Sequence, residues 1–346
     1  MIAVKNEGII IEKTELEFEN KGVLNPACIQ IDGITHMFYR AVSQNNVSSI
    51  GYCQLQNDKV VKRLTKPILC PEYDYEKRGV EDPRITLLEG TYYLFYTAYD
   101  GKNALIAYAT SKDLTHFAKQ GLISPKISYQ EAGDNFRESK VIDKYTTFET
   151  IYKESAGEDI LLFEKDASLF PQKFNNKFAL IHRVLPGIQI VYFDSFSEFT
   201  EDHWRDHLKN LDDFIVLDPL FWFESHNIGG GCPPIETKDG WLFIYHGVEN
   251  SPRGKIYHAT AALLDLKNPL KVLGRLTEPL FSPEADWEKK GVVNNVVFPT
   301  GAVVQDKRLY IYYGAADKLI AAKSVDLDEL LAELKKAPYD STNKSK

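Results

Sequence analysis

The sequence predicts an all-β fold: a five-bladed β-propeller forming a single domain over residues 1–346. Three observations predict it. The 19 Tyr and 19 Phe fall mostly inside short alternating runs separated by turn residues, which is the pattern of strands. One plan (a proline, a short run, a turn, an aromatic strand) recurs along the chain. A second stretch, ahead of the repeat, is itself duplicated.

The repeats run from Asn25-Pro26 to Arg40, Asp82-Pro83 to Thr97, Phe170-Pro171 to Arg183, Cys232-Pro233 to His246 and Phe298-Pro299 to Tyr313. From proline to the last residue the spacing is 14, 14, 12, 13 and 14. Between them stand Asp32-Gly33, Glu89-Gly90, Asn175-Asn176 and Asp239-Gly240, pairs that suit tight hairpin turns. The stretch 67–80, with Pro67, Pro71 and Glu76 to Val80, returns at 279–292 with Pro279, Pro283 and Glu288 to Val292. A hairpin cannot bury its apolar face alone, whereas radially arranged blades can. A β-sandwich shares the regular strands and is the alternative. Two stretches depart from the repeat. A helical insertion is expected near 134–156, and a short C-terminal helix over 326–337 carries Leu327, Leu330, Leu331 and Leu334 as one apolar stripe. The polar tail 339–346 is expected to fray.

Composition narrows the function. The chain is 44% hydrophobic and 26% charged, as soluble domains are. Its 49 acidic against 41 basic residues argue against nucleic acid, whose phosphates select a basic face. No apolar run is long enough to span a membrane. Glu7 and Glu12 sit where a signal peptide needs an apolar core, so a cytoplasmic location is expected. Cys28, Cys53, Cys70 and Cys232 form no CxxC pair, so neither a disulfide framework nor a zinc site is expected.

Equivalent positions of a propeller converge on its channel. The last aligned position holds Arg40, Thr97, Arg183, His246 and Tyr313, and the pre-proline position holds Asn25 and Asp82. Polar residues that differ from blade to blade suit a ligand better than a framework. Pro83 keeps Asp82 extended, and a carboxyl in a partly dry channel is expected to have a raised pKa and to act as a general acid. Lys165, His182, Arg183, Arg40 and His246 give a basic pocket suited to phosphate or carboxylate. Gly229, Gly230 and Gly231 lack the lysine and hydroxyl of a phosphate loop and read as a tight entry turn. His203 and His207 lie four apart on an expected solvated helix, without the glutamate of zinc peptidases, so no metal is expected there. No Gly-Xaa-Ser-Xaa-Gly elbow is present.

Glu81-Asp82-Pro83-Arg84, Lys165-Asp166-Ala167, His182-Arg183, Tyr245-His246-Gly247, Phe298-Pro299-Thr300-Gly301 and Tyr313-Gly314-Ala315-Ala316-Asp317 together resemble glycoside hydrolase family 130. These are the β-mannoside phosphorylases and related mannosidases, and the likeness runs in order from about residue 24 to 325. The resemblance implies a five-bladed propeller with Asp82 as catalytic acid, its proton reaching the glycosidic oxygen through a hydroxyl of the mannose. It implies inorganic phosphate held by Lys165, His182, Arg183 and His246. Asn25, Arg40, Asp166 and Asp317 would bind the sugar or organise the pocket, and Arg84 and Tyr245 are expected to bind substrate. Ser49 departs from the pattern, standing where many members carry an arginine. The segment 124–164 is also longer than in the simplest members.

The chemistry agrees with that likeness. Inverting hydrolysis needs two carboxyls, an acid and a base for water, whereas phosphorolysis needs the acid and cations to place an anionic nucleophile. One marked carboxyl among several basic residues fits the second. The expected activity is inverting phosphorolysis of a β-1,2- or β-1,4-mannoside, giving α-mannose 1-phosphate, with phosphate as co-substrate and no cofactor. An inverting β-mannosidase with Glu236 as base is one rival, and a carbohydrate-binding propeller without catalysis another. The insertion 134–156 is expected to cap the pocket or to contact a second copy in a homo-oligomer.

Overall fold

A computed structural model describes residues 2–157 and 159–336. Strands dominate and helices are few, as the alternating runs predict. Strand β1 (Lys5–Ile11) stands ahead of the repeat. The first antiparallel unit holds β2 (Gly22–Ile31), β3 (Ile34–Val42), β4 (Ser48–Gln56) and β5 (Lys59–Arg63). The second holds β6 (Gly79–Leu88), β7 (Thr91–Tyr99), β8 (Ala104–Ser111) and β9 (Ala118–Leu122). A single parallel pair, Ser48 with Gly79, joins these two. The third has β10 (Lys165–Leu169), β11 (Phe178–Arg183), β12 (Ile188–Phe193) and β13 (Ile215–Leu217). In the fourth, β14 (Asn227–Gly230) and β15 (Ile235–Thr237) both pair with β16 (Gly240–Ser251), followed by β17 (Gly254–Leu264) and β18 (Val272–Arg275). The fifth has β19 (Val297–Gln305), β20 (Arg308–Ala315) and β21 (Leu319–Asp326), with β1 as its outer strand. First strands pack on first strands: β2 on β6 and β19, β6 on β10, and β10 on β14.

The turns are those the sequence asks for. Asp32-Gly33, Glu89-Gly90 and Asn175-Asn176 all have positive φ, the geometry that lets a two-residue hairpin follow the strand twist. A second use of positive φ matters more. In three units the first strand slips register identically: Leu24 pairs with Arg40 and then Ala27 with Phe38. Glu81 pairs with Thr97 and then Arg84 with Phe95, and Lys165 with Arg183 and then Ser168 with Ile181. The first bulged residue is Asn25, Asp82 or Asp166, with φ of 49°, 50° and 59°. Left-handed backbone disfavours most side chains by roughly 1–2 kcal/mol and is tolerated best by Gly, Asn and Asp. A bulge turns its side chain out of the alternation. By register, therefore, the third unit's counterpart of Asp82 is Asp166, and not Phe170 before Pro171 as the proline spacing suggests.

Each segment leading into a unit carries a buried carboxylate. Glu19 accepts from the Tyr39 hydroxyl at 2.8 Å and pairs with Arg63 at 2.9 Å. Glu76 holds Tyr96 and Lys119, Glu224 holds Tyr245 and Arg275, and Glu288 holds Tyr313 and Lys323. The third unit uses Glu164 with His182. All five glutamates are fully buried. Removing one partner of such a pair costs about 3–5 kcal/mol, so these groups fix each lead-in segment to the strands of its own unit.

The helical insertion is two helices, not one over 134–156. Helix α1 (Tyr129–Phe136) begins earlier, with Ser128 Oγ accepting from Glu131 N at 3.2 Å, and α2 (Asp143–Ala156) follows a break. The break is tied down by Ser139 Oγ, which donates to Asp212 at 2.8 Å. Helix α3 (Glu201–Lys209) is capped by Thr200. His207 on it is buried against His182, which corrects the solvated reading of that helix. A four-residue helix α4 (Asp286–Lys289) precedes β19. Helix α5 (Leu327–Lys336) buries Leu330, Leu331 and Leu334 as its stripe predicts. The tail 339–346 lies outside the described residues.

Candidate active site at the bulged strands

The three bulges aim Asn25, Asp82 and Asp166 at one place. Asn25 Nδ2 donates to Asp82 Oδ1 at 2.8 Å. Arg40, the register neighbour of the first bulge, places Nη1 3.4 Å from the same oxygen and Nη2 2.6 Å from Glu81 Oε1. Ser48 Oγ accepts from Arg40 Nε at 3.0 Å and donates to Glu81 at 3.1 Å. Glycine at 79 leaves room for this arrangement, because a Cβ would stand 2.6 Å from Glu81 Oε1 and displace that side chain. Asp82, Glu81 and Arg40 thus form one cluster across the seam of the first two units.

Arg84 links this cluster to the third unit. It is 1% exposed and donates to the carbonyls of Asp82 (2.9 Å), Pro83, Gly230 and Gly231, and to Asp166 Oδ1 at 3.5 Å. With its donors engaged by the protein, Arg84 positions the bulges and has nothing to offer a sugar, contrary to the binding role expected of it. Arg183 Nη1 lies 2.6 Å from the other oxygen of Asp166. Asp82 and Arg183 are therefore joined through Arg84 and Asp166. His246 lies beside them: a Cβ on Gly229 would come 2.5 Å from the imidazole and 2.6 Å from Asp166 Oδ2. Gly229 and Gly230 thus end strand β14 beneath the site, with Gly231 just past it, which corrects the entry-turn reading. Arg183 Nε and both ring nitrogens of His246 are buried without a hydrogen-bond partner.

Electrostatics separates the groups. Burial pushes the Asp82 carboxyl up, but Arg40, Lys165, the Asn25 amide and Arg84 outweigh it and hold its pKa below the ordinary value. The raised pKa expected of Asp82 is found instead at Asp317, which burial lifts to about 6, with Arg40 opposing and Asp82 and Glu81 reinforcing. Burial lowers His246 to about 3, so its imidazole is neutral at physiological pH, with one ring nitrogen able to donate and the other to accept. Lys165 pairs in register with Arg183 and adds positive charge felt by both Asp82 and Asp317.

Two further expected residues face elsewhere. His182 has both ring nitrogens engaged, 2.8 Å from Glu164 and 3.0 Å from His207, and has none left for phosphate. Tyr245 is fully buried and bonded to Glu224 and Arg275. Each precedes a pocket residue, Arg183 or His246, and successive strand residues point to opposite faces. Glu236 is exposed on β15 and, among the described residues, makes no contact with Asp82. Ser49 is buried with its hydroxyl unpartnered. Sequence reasoning missed Glu81 and Ser48 as members of the cluster, and Tyr257 and Phe298, whose rings lie 5.9 and 4.5 Å from His246. Among the described residues no group of three or more His, Cys, Asp or Glu is arranged to hold a metal. A cavity of about 830 Å³, lined by Trp222, Phe281 and Glu288, shares no residue with this cluster. Converging charge marks the site.

A family model described as beta-1,4-mannooligosaccharide phosphorylase, that of glycoside hydrolase family 130, matches residues 7–336. The chain belongs to glycoside hydrolase family 130. Within that family it is 33% identical over 339 residues to a 1,2-beta-oligomannan phosphorylase of Thermoanaerobacter sp. (strain X514), covering 94% of this chain and 97% of the relative. It is 35% identical to a beta-1,2-mannobiose phosphorylase of the same organism, with the same coverage. The solved beta-1,2-mannobiose phosphorylase of Listeria innocua, in complex with beta-1,2-mannobiose, shares the fold at a TM-score of 0.72 and 22% identity, over 96% of this chain and 99% of that one.

Proposed function

We propose that this family 130 protein is an inverting phosphorylase that cleaves a β-mannoside with inorganic phosphate. The observation that carries the reading is the set of buried polar groups without partners, Arg183 Nε and the neutral His246 ring with its one N–H, beside Lys165 and joined to Asp82 by three links through Asp166 and Arg84. Buried donors call for an acceptor, and a phosphate oxyanion supplies several. Phosphate oxygen attacks C1 of the mannose, the C1–O bond to the leaving sugar breaks, and a proton originating on Asp82 ends on the leaving oxygen. The protein's own charges hold Asp82 ionised. A dianion arriving beside Lys165 and Arg183 offsets part of that field and favours the protonated acid.

Asn25, Arg40 and Asp317 hold the mannose in this reading, while Arg84, Tyr245 and His182 act as framework. The five units are the blades of one propeller spanning the chain as a single domain; the packing of first strands on one another supports this. The two long-range relatives named above favour a β-1,2 linkage. The reaction uses no cofactor. A cytoplasmic setting belongs to the same reading, supported by four free cysteines and by the need for cellular phosphate. The test is a phosphate titration with β-1,2- and β-1,4-mannobiose, measuring mannose 1-phosphate and free mannose. Phosphate-dependent mannose 1-phosphate is expected. Equal release of free mannose without phosphate would establish the hydrolase instead, and binding without turnover the carbohydrate-binding module.

A further inference from the structure

The duplicated stretches 67–80 and 279–292 are anchored alike, by Glu76 and Glu288, each capping its own turn and holding a tyrosine. They then diverge. Glu76 lies seven residues before Pro83, and Glu288 eleven before Pro299. The copies match through Gly291 and Val292, so the four extra residues come after Val292 and ahead of Pro299. Residues 291–295 are bound at both ends to the site. Val292 N and Val293 N reach the Ala316 carbonyl at 2.9 and 3.3 Å, and Ala316 N returns to Val296 O at 3.1 Å. The next residue is Asp317, whose carboxyl shares the field of Asp82, Glu81, Arg40 and Lys165. Gly291 lies against Ala316 with no room for a Cβ. At the other end Asn295 O accepts from Tyr257 N at 3.0 Å, and the Tyr257 ring lies 5.9 Å from His246. The segment is also braced internally, with Asn294 Oδ1 accepting from Gly291 N at 3.2 Å. It runs from the carboxyl side of the site to the donor side.

On this tethered segment Val292 is 65% exposed and Val293 42%. Two adjacent uncovered valines beside a charged pocket suit the C–H face of a sugar ring. The charged groups hold one sugar and the anion. The leaving sugar must depart each cycle, and apolar contact with few hydrogen bonds orients it without retaining it. We infer that residues 291–295 form the acceptor-side wall of the site, with Val292 and Val293 contacting the sugar that leaves and setting which acceptor the enzyme takes. The inference rests on the phosphorylase reading above.

The experiment uses the full chain with Val292→Ser and Val293→Ser combined, run in the direction of synthesis from α-mannose 1-phosphate and mannose. These positions are exposed, and an unchanged melting temperature shows that the variant folds. The KM for mannose is expected to rise roughly 5- to 10-fold, in line with the loss of apolar contact in a specificity site, while the KM for mannose 1-phosphate moves by less than about twofold. Unchanged KM values for both, or equal changes in both, would overturn the inference while leaving the phosphorylase intact. A wild-type chain that makes no phosphate-dependent product defeats both readings.

Discussion

Asn25 Nδ2 and Asp82 Oδ1 meet at 2.8 Å across the seam of the first two units, each from a left-handed bulge in its own strand. The same carboxyl oxygen faces Arg40, so the opposite oxygen is the one left to carry a proton. Glycine at 314 permits this pairing, because a Cβ there would overlap the Asn25 side chain.

Asp82→Asn preserves this shape and removes the proton. Turnover is expected to fall by roughly 10²–10⁴-fold with mannoside binding retained. Steady-state rates and calorimetric titration with mannobiose measure the two separately. Activity within a few-fold of wild type would move the acid elsewhere.

Glu81→Gln tests how Arg40 is shared. With Gln at 81 the guanidinium loses its competing carboxylate beside Asp82 and draws the Asp82 pKa further down. An acid works only while protonated, so the alkaline limb of the kcat profile should move to lower pH by roughly one unit. A purely structural loss would lower the melting temperature and leave the limb in place.

Arg183→Ala removes the partner of Asp166 and one unpartnered donor. Loss of a charged hydrogen bond is expected to weaken phosphate by about 1.5–3 kcal/mol, with the KM for mannoside much less affected. Equal losses for both substrates would show that Arg183 acts through the fold of the third unit.

Asp317 gives a pH-dependent stability with a definite sign. Burial raises its pKa from 3.8 to about 6 in the folded chain. Between those values the folded state binds a proton that the unfolded state has released, so stability falls as pH rises through this window. Asp317→Asn has no such titration. Its stability relative to wild type should grow from pH 4 to above pH 6, to about 1–3 kcal/mol, while activity drops. Thermal melts across that range measure it. A constant difference would mean that Asp317 ionises freely.

The proline spacing disclosed the five units, although Pro171 and Pro233 lie outside the first strands, and at Asn25 and Asp82 it disclosed two of the three bulges. The third bulge escaped because Asp166 takes the left-handed conformation without a following proline, while Phe170-Pro171 imitates the motif outside the strand. His182 and Tyr245 were misread for a related reason. Strand neighbours face opposite sides, and only the register of the bulge says which faces the pocket. The buried glutamates carry no local signature, since their partners Arg63, Lys119, Arg275 and Lys323 stand far away in sequence. Asp317 rather than Asp82 holds the raised carboxyl because pKa depends on neighbours from several units, which no stretch of sequence displays.

Strand β1 completes the fifth unit by pairing Lys5 with Ser324 and Ile11 with Ile320. That sheet is made of segments on the order of 300 residues apart, so its last strand must close the longest loop in the molecule, at an entropy cost that grows only slowly with length. The seam is accordingly the last to zip during folding and the first to yield to a pull on the N-terminus. Peeling β1 away would bare the edge of β21, a ready template for a strand from another chain. Where a handle is fused to this protein, the N-terminal end is therefore where aggregation would begin.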